Sequence, residues 1–210
     1  PEVIEGREEA ELSFLGATAG VPDAAAPRLV MDLGGGSTEL VLGDAGADAA
    51  YSMNIGCVRL FERHLASDPP TEEQIDALRA DVDDAFTEAA QHVDVSATRT
   101  LVGVAGTITT TAAAILDLPG YDREAIHGSA LTREQIVRAA DRLTAMTWDE
   151  RRALPYMHPG RADVIAAGSQ VFARLVELVD EAVGRSGGSL GIRVSESDIL
   201  DGIALGLSRD

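Results

Sequence analysis

Apolar residues from Arg28 onward come in short bursts cut by glycine. Leu29-Val30-Met31-Asp32-Leu33 stops at Gly34-Gly35-Gly36, Glu39-Leu40-Val41-Leu42 runs to Gly43-Asp44, and Ala50-Tyr51-Ser52-Met53-Asn54-Ile55 ends at Gly56. Runs of this length between turn residues predict three strands, the first two joined by a tight glycine hairpin. Beyond Gly56, Val58-Arg59-Leu60-Phe61-Glu62 hands the meander over to helix. Asp68-Pro69-Pro70 then breaks the chain and the apolar period lengthens to near 3.6. Ile75, Leu78, Val82, Ala85, Phe86 and Ala89 share one helical face, opened by the capping box Thr71-Glu72-Glu73-Gln74.

The second half repeats this grammar with more helix. Thr100 to Ala105 predicts a strand that ends at Gly106, and Thr107 opens an Ala-rich helix to Leu116. Thr132-Arg133-Glu134-Gln135 caps a helix to about Met146, and Thr147-Trp148-Asp149-Glu150 caps a short one. A long helix is expected from about Arg161 to Val183, stopped by Gly187-Gly188. Leu190 to Val194 supplies the last strand, and Ser197 to Leu207 a closing helix capped by Ser197 or Asp198. The pattern therefore predicts an α/β fold, a mixed five-stranded sheet flanked by helices with added helices. This order of elements resembles the ribonuclease-H-like half-domain of the actin, Hsp70 and sugar kinase superfamily.

At 210 residues, with 45% hydrophobic and 25% charged side chains, the chain can bury an ordinary globular core. The net charge is −18, and all 17 basic residues are arginines. Such a field repels nucleic acid and any other polyanion, so phosphate chemistry must rest on local backbone donors, arginines or metal ions. The single Cys57 cannot close an internal disulfide, no leader-like segment opens the sequence, and no apolar run nears the roughly 20 residues of a membrane span. A cytoplasmic setting is expected. The chain starts at Pro1 and is expected to be cut from something longer.

The densest chemistry lies in Asp32-Leu33-Gly34-Gly35-Gly36-Ser37-Thr38-Glu39. Consecutive glycines let successive N–H groups approach one oxyanion, which side chains would block. Asp32 and Glu39 at the two mouths of the turn would repel that anion unless a divalent cation or an attacking water lay between, which points to Mg²⁺ with Asp32 and Glu39 as its ligands. Gly103-Val104-Ala105-Gly106-Thr107 is a strand, glycine turn and helix start, either a packing device or a second anion site. Arg59 is either a solvated arginine or a neutraliser of phosphate. Cys57 has no basic neighbour to activate it, and His64, His92, His127 and His158 show no zinc-ligand spacing.

Asp32 to Glu39 is similar to the Asp-x-Gly-Gly-Gly-Ser-Thr-Glu signature of the exopolyphosphatase / guanosine pentaphosphatase (Ppx/GppA) family. Gly6-Arg7-Glu8-Glu9-Ala10 resembles its Gly-x-Glu-Glu-Ala segment, Gly106-Thr107 its Gly-Thr loop, and Gly56 to Glu62 and Arg151 to Asp163 further segments of it. The resemblance runs from Gly6 to about Leu207, with Leu200 standing where many members carry Arg. It implies a hydrolase that releases terminal phosphate from inorganic polyphosphate or guanosine pentaphosphate. Glu9 would be the general base with Glu39 beside it in catalysis. Gly34, Gly35, Gly36, Ser37, Gly106, Thr107 and Arg59 would bind phosphate.

By the same resemblance, residues 1–27 come from an inter-domain crossover and 28–210 form a second domain. The first domain lies outside the chain, and the parent protein is a homodimer. A nucleotide-binding regulatory half of an actin-like or Hsp70-like protein, or a non-catalytic anion sensor, are the rival readings.

Overall fold

The structure is a computed structural model and describes residues 6–207. Helix α1 (Gly6–Ala19) leads into a meander of β1 (Arg28–Leu33), β2 (Thr38–Gly43) and β3 (Ala47–Met53), then α2 (Cys57–His64) and α3 (Glu72–Ala89). Next come β4 (Thr100–Val104), α4 (Gly106–Ile115), α5 (Arg123–Ile126), β5 (Ala130–Leu131), α6 (Arg133–Ala145) and α7 (Trp148–Arg152). Helix α8 (Ile165–Arg185), β6 (Gly191–Val194) and α9 (Ile199–Leu207) close the chain.

These strands form one sheet in the order β3-β2-β1-β4-β6-β5. Strands β1, β4 and β6 run parallel to one another, while β2, β3 and β5 pair antiparallel with their neighbours. The sheet has six strands where the sequence pattern predicted five. The extra one, Ala130–Leu131, is two residues long and exists only through its pairing with Arg193 and Ile192. A dipeptide just ahead of a capping box carries no periodicity of its own. The third strand starts three residues earlier than expected, because Gly43 pairs with Ala47 across a short turn.

The two-residue period of the strands sorts their side chains onto two faces. Leu29, Met31, Leu33, Leu40 and Leu42 join the main core with Leu60, Leu78, Val82, Ile108 and Phe172 of the helices on that side. Val30, Val41, Val102 and Val104 face the other way and pack on Ala10, Phe14 and Ala17 of α1. Asp32 and Glu39 share the parity of Val30 and Val41, so the α1 side is where their carboxylates belong. Helix α9 crosses α1 at backbone contact: a Cβ on Gly16 would sit 1.9 Å from the Asp198 carbonyl oxygen, and one on Gly202 1.9 Å from that of Leu12.

All three predicted Thr capping boxes form, at Thr71, Thr132 and Thr147. The long helix begins at Ile165 rather than Arg161. A 3-10 turn at Pro159–Arg161, with the His158 ring accepting from Gly160 N–H, redirects the chain first. That turn delivers Arg161 to the neighbourhood of Gly106.

Candidate active site

Leu33 pairs with Thr38, so the four residues Gly34 to Ser37 make the turn of the hairpin. The first turn of α2 grips this loop from one side. Cys57 N–H donates to the Gly34 carbonyl at 3.0 Å, Val58 and Arg59 N–H to that of Gly35 at 3.0 and 3.1 Å, and Arg59 Nε to that of Gly36 at 2.7 Å. In a trans peptide the N–H points opposite to the C=O. Three carbonyls held by α2 therefore turn the N–H groups of Gly35, Gly36 and Ser37 away from it. Among the described residues these three N–H groups donate to no protein acceptor, whereas Gly34 N–H is taken by the Ser37 carbonyl at 3.0 Å.

Three of the four predicted loop donors are thus available, and none of the three glycines adopts a positive φ. What the sequence needs at Gly36 is room: a Cβ there would meet only Arg59 Nη2, at 3.7 Å. Gly56 is demanded more strictly, since its Cβ would lie 2.6 Å from the Gly35 carbonyl carbon and oxygen. Without that glycine α2 could not approach close enough to hold the loop.

Asp32 is in register with Val104 on the parallel neighbour β4, so the loop after β4 leaves the sheet beside the glycine turn. It opens α4 through Ala105, held at φ 73° and ψ 166°, with no side chain capping the helix start. The N-terminal N–H groups of α4, starting at Gly106 and Thr107, lack intrahelical acceptors and carry the positive end of the helix dipole. The Arg161 guanidinium lies against Gly106, where a Cβ would come within 2.2 Å of Nη2, and donates to Thr110 Oγ at 3.2 Å. Asp163, two residues on, accepts from the Trp148 indole N–H.

On the α1 face the carboxylates gather around a cavity of about 340 Å³ lined by Glu9, Ser13, Asp32, Glu39, Tyr51 and Ser52 among others. Asp32 and Glu39 are direct cross-strand partners. Like charges in that position repel. Partial burial, then Glu39, Asp198 and Glu9, raise the Asp32 carboxyl to a pKa of about 6. Ser52 Oγ donates to Glu39 at 2.7 Å. Asp198 caps α9 by accepting from Leu200 N–H at 2.8 Å, and so brings a fourth acid to this face.

The structure thus places Glu9, Asp32 and Glu39 around one cavity, and Gly35, Gly36, Ser37, Gly106 and Thr107 in the turns that follow the central strands β1 and β4, with Arg59 on α2 beside the first. Among the described residues no three His, Cys, Asp or Glu side chains enclose a metal position by themselves. Two carboxylates beside free amides do fit Mg²⁺, which is usually held by one or two carboxylates, water and the substrate's own phosphate oxygens. Ser13, Ser52, Arg161 and Asp198 were not assigned to the site from sequence. Of these only Ser13 left a local sign, standing one helical turn beyond Glu9. Cys57 is buried. The histidines are engaged elsewhere: His64 with Asp81, His92 stacked on Tyr51, His127 accepting from Glu196 N–H and His158 in its own turn.

A mixed sheet whose central strands β1 and β4 end in a glycine hairpin and a helix start has the fold of the actin and sugar kinase type. A sequence model of the Ppx/GppA phosphatase family matches residues 2–194, and the chain belongs to that family. It is 47% identical over 207 residues to Exopolyphosphatase 2 of Mycobacterium tuberculosis, covering 99% of this chain and 64% of that protein. The crystal structure of an exopolyphosphatase-like protein superposes with a TM-score of 0.94 at 46% identity, covering all of this chain and 68% of the other. The Ppx/GppA phosphatase of Aquifex aeolicus superposes at 0.81 with 29% identity, over 98% and 64% of the two chains. The chain therefore spans a little under two thirds of the length of the curated relative.

Proposed function

We propose that this chain is the phosphate-holding part of an exopolyphosphatase, releasing the terminal phosphate of inorganic polyphosphate or of guanosine pentaphosphate. The observation that carries the reading is the set of three uncommitted N–H groups, Gly35, Gly36 and Ser37, held outward by α2 beside the cavity of Glu9, Asp32 and Glu39. Those amides, the start of α4, Arg59 and Arg161 seat the negative oxygens of the terminal phosphoryl group. Glu9 takes a proton from a water as its oxygen bonds to phosphorus. The bridging P–O bond breaks, and its electron pair leaves with the shortened chain. Mg²⁺, when bound by Asp32 and Glu39, supplies charge neutralisation for the phosphoryl oxygens.

Since the relatives are longer, the opposite wall of the cleft belongs to a further domain of the whole protein, and residues 1–210 alone turn over little. The test is a phosphate-release assay on the full-length protein with each substrate, with and without Mg²⁺. Glu9→Gln is expected to lower kcat by about 10²–10⁴-fold while substrate binding and folding hold. Full activity in that variant removes Glu9 from the role, and binding without turnover in the wild type favours the nucleotide-sensor reading.

A further inference from the structure

Helix α1 carries a second polar residue into the acidic cavity. Ser13 stands four residues after Glu9, so both fall on one helical face, and its side chain lines the same cavity as Glu9, Asp32 and Glu39. It is 6% exposed, and its Oγ has no hydrogen-bond partner. A buried hydroxyl left without a partner is costly, and such groups are rare in folded proteins. Thr98 and Ser129 share this condition among the described residues, but neither lines this cavity.

The other hydroxyls of the lining are already engaged. Ser52 donates to Glu39, and the Glu88 carboxylate beside the Tyr51 hydroxyl holds its pKa above the ordinary value. The carboxylates of Glu9, Asp32 and Glu39 accept when ionised and donate nothing. The cavity is therefore rich in acceptors, and among the described residues of its lining Ser13 is the buried hydroxyl without a partner. A water held here can give both hydrogens to carboxylates, but its oxygen is fixed in direction only if something donates to it.

We infer that Ser13 is a positioning residue for the nucleophilic water, an inference that rests on the hydrolase reading of this site. Its hydroxyl donates to one lone pair of the water while Glu9 accepts one of the hydrogens, which leaves the second lone pair aimed at phosphorus. The role requires the hydroxyl, now buried without a partner, to turn toward the cavity that its residue lines.

The test uses the full-length protein with Ser13→Ala and Ser13→Cys, the second nearly isosteric but a weak donor. Both are expected to lower kcat for phosphate release by about 10–100-fold with KM held within about twofold. The melting temperature of Ser13→Ala should be equal to or above that of the wild type, because the orphaned hydroxyl is gone. Unchanged kcat in either variant overturns the inference, as does a loss that simply follows a fall in melting temperature. A high-resolution crystal structure separates this from the function itself. A water within hydrogen-bond distance of both Ser13 Oγ and Glu9, absent in Ser13→Ala, supports the role even if no substrate is turned over. A structure without that water sinks it while leaving the hydrolase reading to the phosphate assay.

Discussion

The two sides of the candidate site are built by opposite means. The donor edge consists of main-chain N–H groups from Gly35 to Ser37 and from the start of α4, fixed by hydrogen bonds that use only the far side of each peptide. The acidic cavity consists of side chains from α1, β1 and β2 that repel one another, with Asp32 pushed to a pKa of about 6 by burial and by Glu39, Asp198 and Glu9. The first is satisfied by an anion and the second by a cation or proton. Each lacks what the other's ligand brings, so on the proposed function a metal-bound phosphate would complete both at once. A chain of net charge −18 would then hold a polyanion through a local field made of backbone dipoles.

The contrast breaks most sharply at Gly36. Its Cβ would project into open space beside Arg59 Nη2, so Gly36→Val leaves the fold alone and occupies the seat of the anion. Phosphate release by the full-length protein should fall about 100-fold or more, which corresponds to at least ~2.7 kcal/mol of lost transition-state stabilisation. The melting temperature should stay within a degree or two. A variant that keeps its activity shows that the loop amides do not hold the reacting phosphate.

On the acidic side the effect should run the other way, toward stability. A carboxyl whose folded pKa is raised from 3.8 to about 6 binds its proton more tightly in the folded state. Stability therefore falls as pH climbs between those values, and the full cost of an ionised Asp32 is present above pH 6. The shift corresponds to at most about 3 kcal/mol. Asp32→Asn should consequently stabilise the protein at pH 7 by about 1–3 kcal/mol while abolishing activity, and the gain should vanish below about pH 4. Millimolar Mg²⁺ should raise the wild-type melting temperature at pH 7 more than that of the variant. Equal melting curves for the two proteins at pH 7 would show that the carboxylates are not in conflict.

Much of the donor edge was legible because its parts are contiguous. Asp32 to Glu39 is one motif whose glycines report a tight backbone approach, and the Gly106 turn follows its strand directly. The helices were legible too, since Thr71, Thr132 and Thr147 announce themselves by capping chemistry three residues long. The acidic cavity was legible only in part. Glu9 entered through its resemblance to a family segment, and Asp32 with Glu39 through the motif. Ser13, Ser52 and Asp198 meet them only because strand parity and the Gly16/Gly202 helix crossing bring separate elements to one place. The reach of Arg161 was not legible for a related reason: it is set by a 3-10 turn where the sequence pattern expected the long helix to begin. Strand β5 has no signal at all outside its pairing with β6.

The smallest expected effect concerns how the second loop turns from β4 into α4. Ala105 sits at φ 73° and ψ 166°, in a region populated almost solely by glycine, directly before Gly106. No side chain caps the helix, so this strained residue turns the chain from β4 into α4, whose first N–H groups lack intrahelical acceptors. Strain of that kind costs of order 1–3 kcal/mol, of which glycine returns a part as extra unfolded-state entropy. Ala105→Gly should therefore stabilise the protein by about 1 kcal/mol and raise its melting temperature by roughly 2–4 °C. The KM for polyphosphate should change less than twofold, since the direction of the amides is unaltered. Ala105→Val, which glycine's freedom cannot rescue, should lower the melting temperature instead. A destabilised Ala105→Gly would mean that the chain turns into α4 without strain.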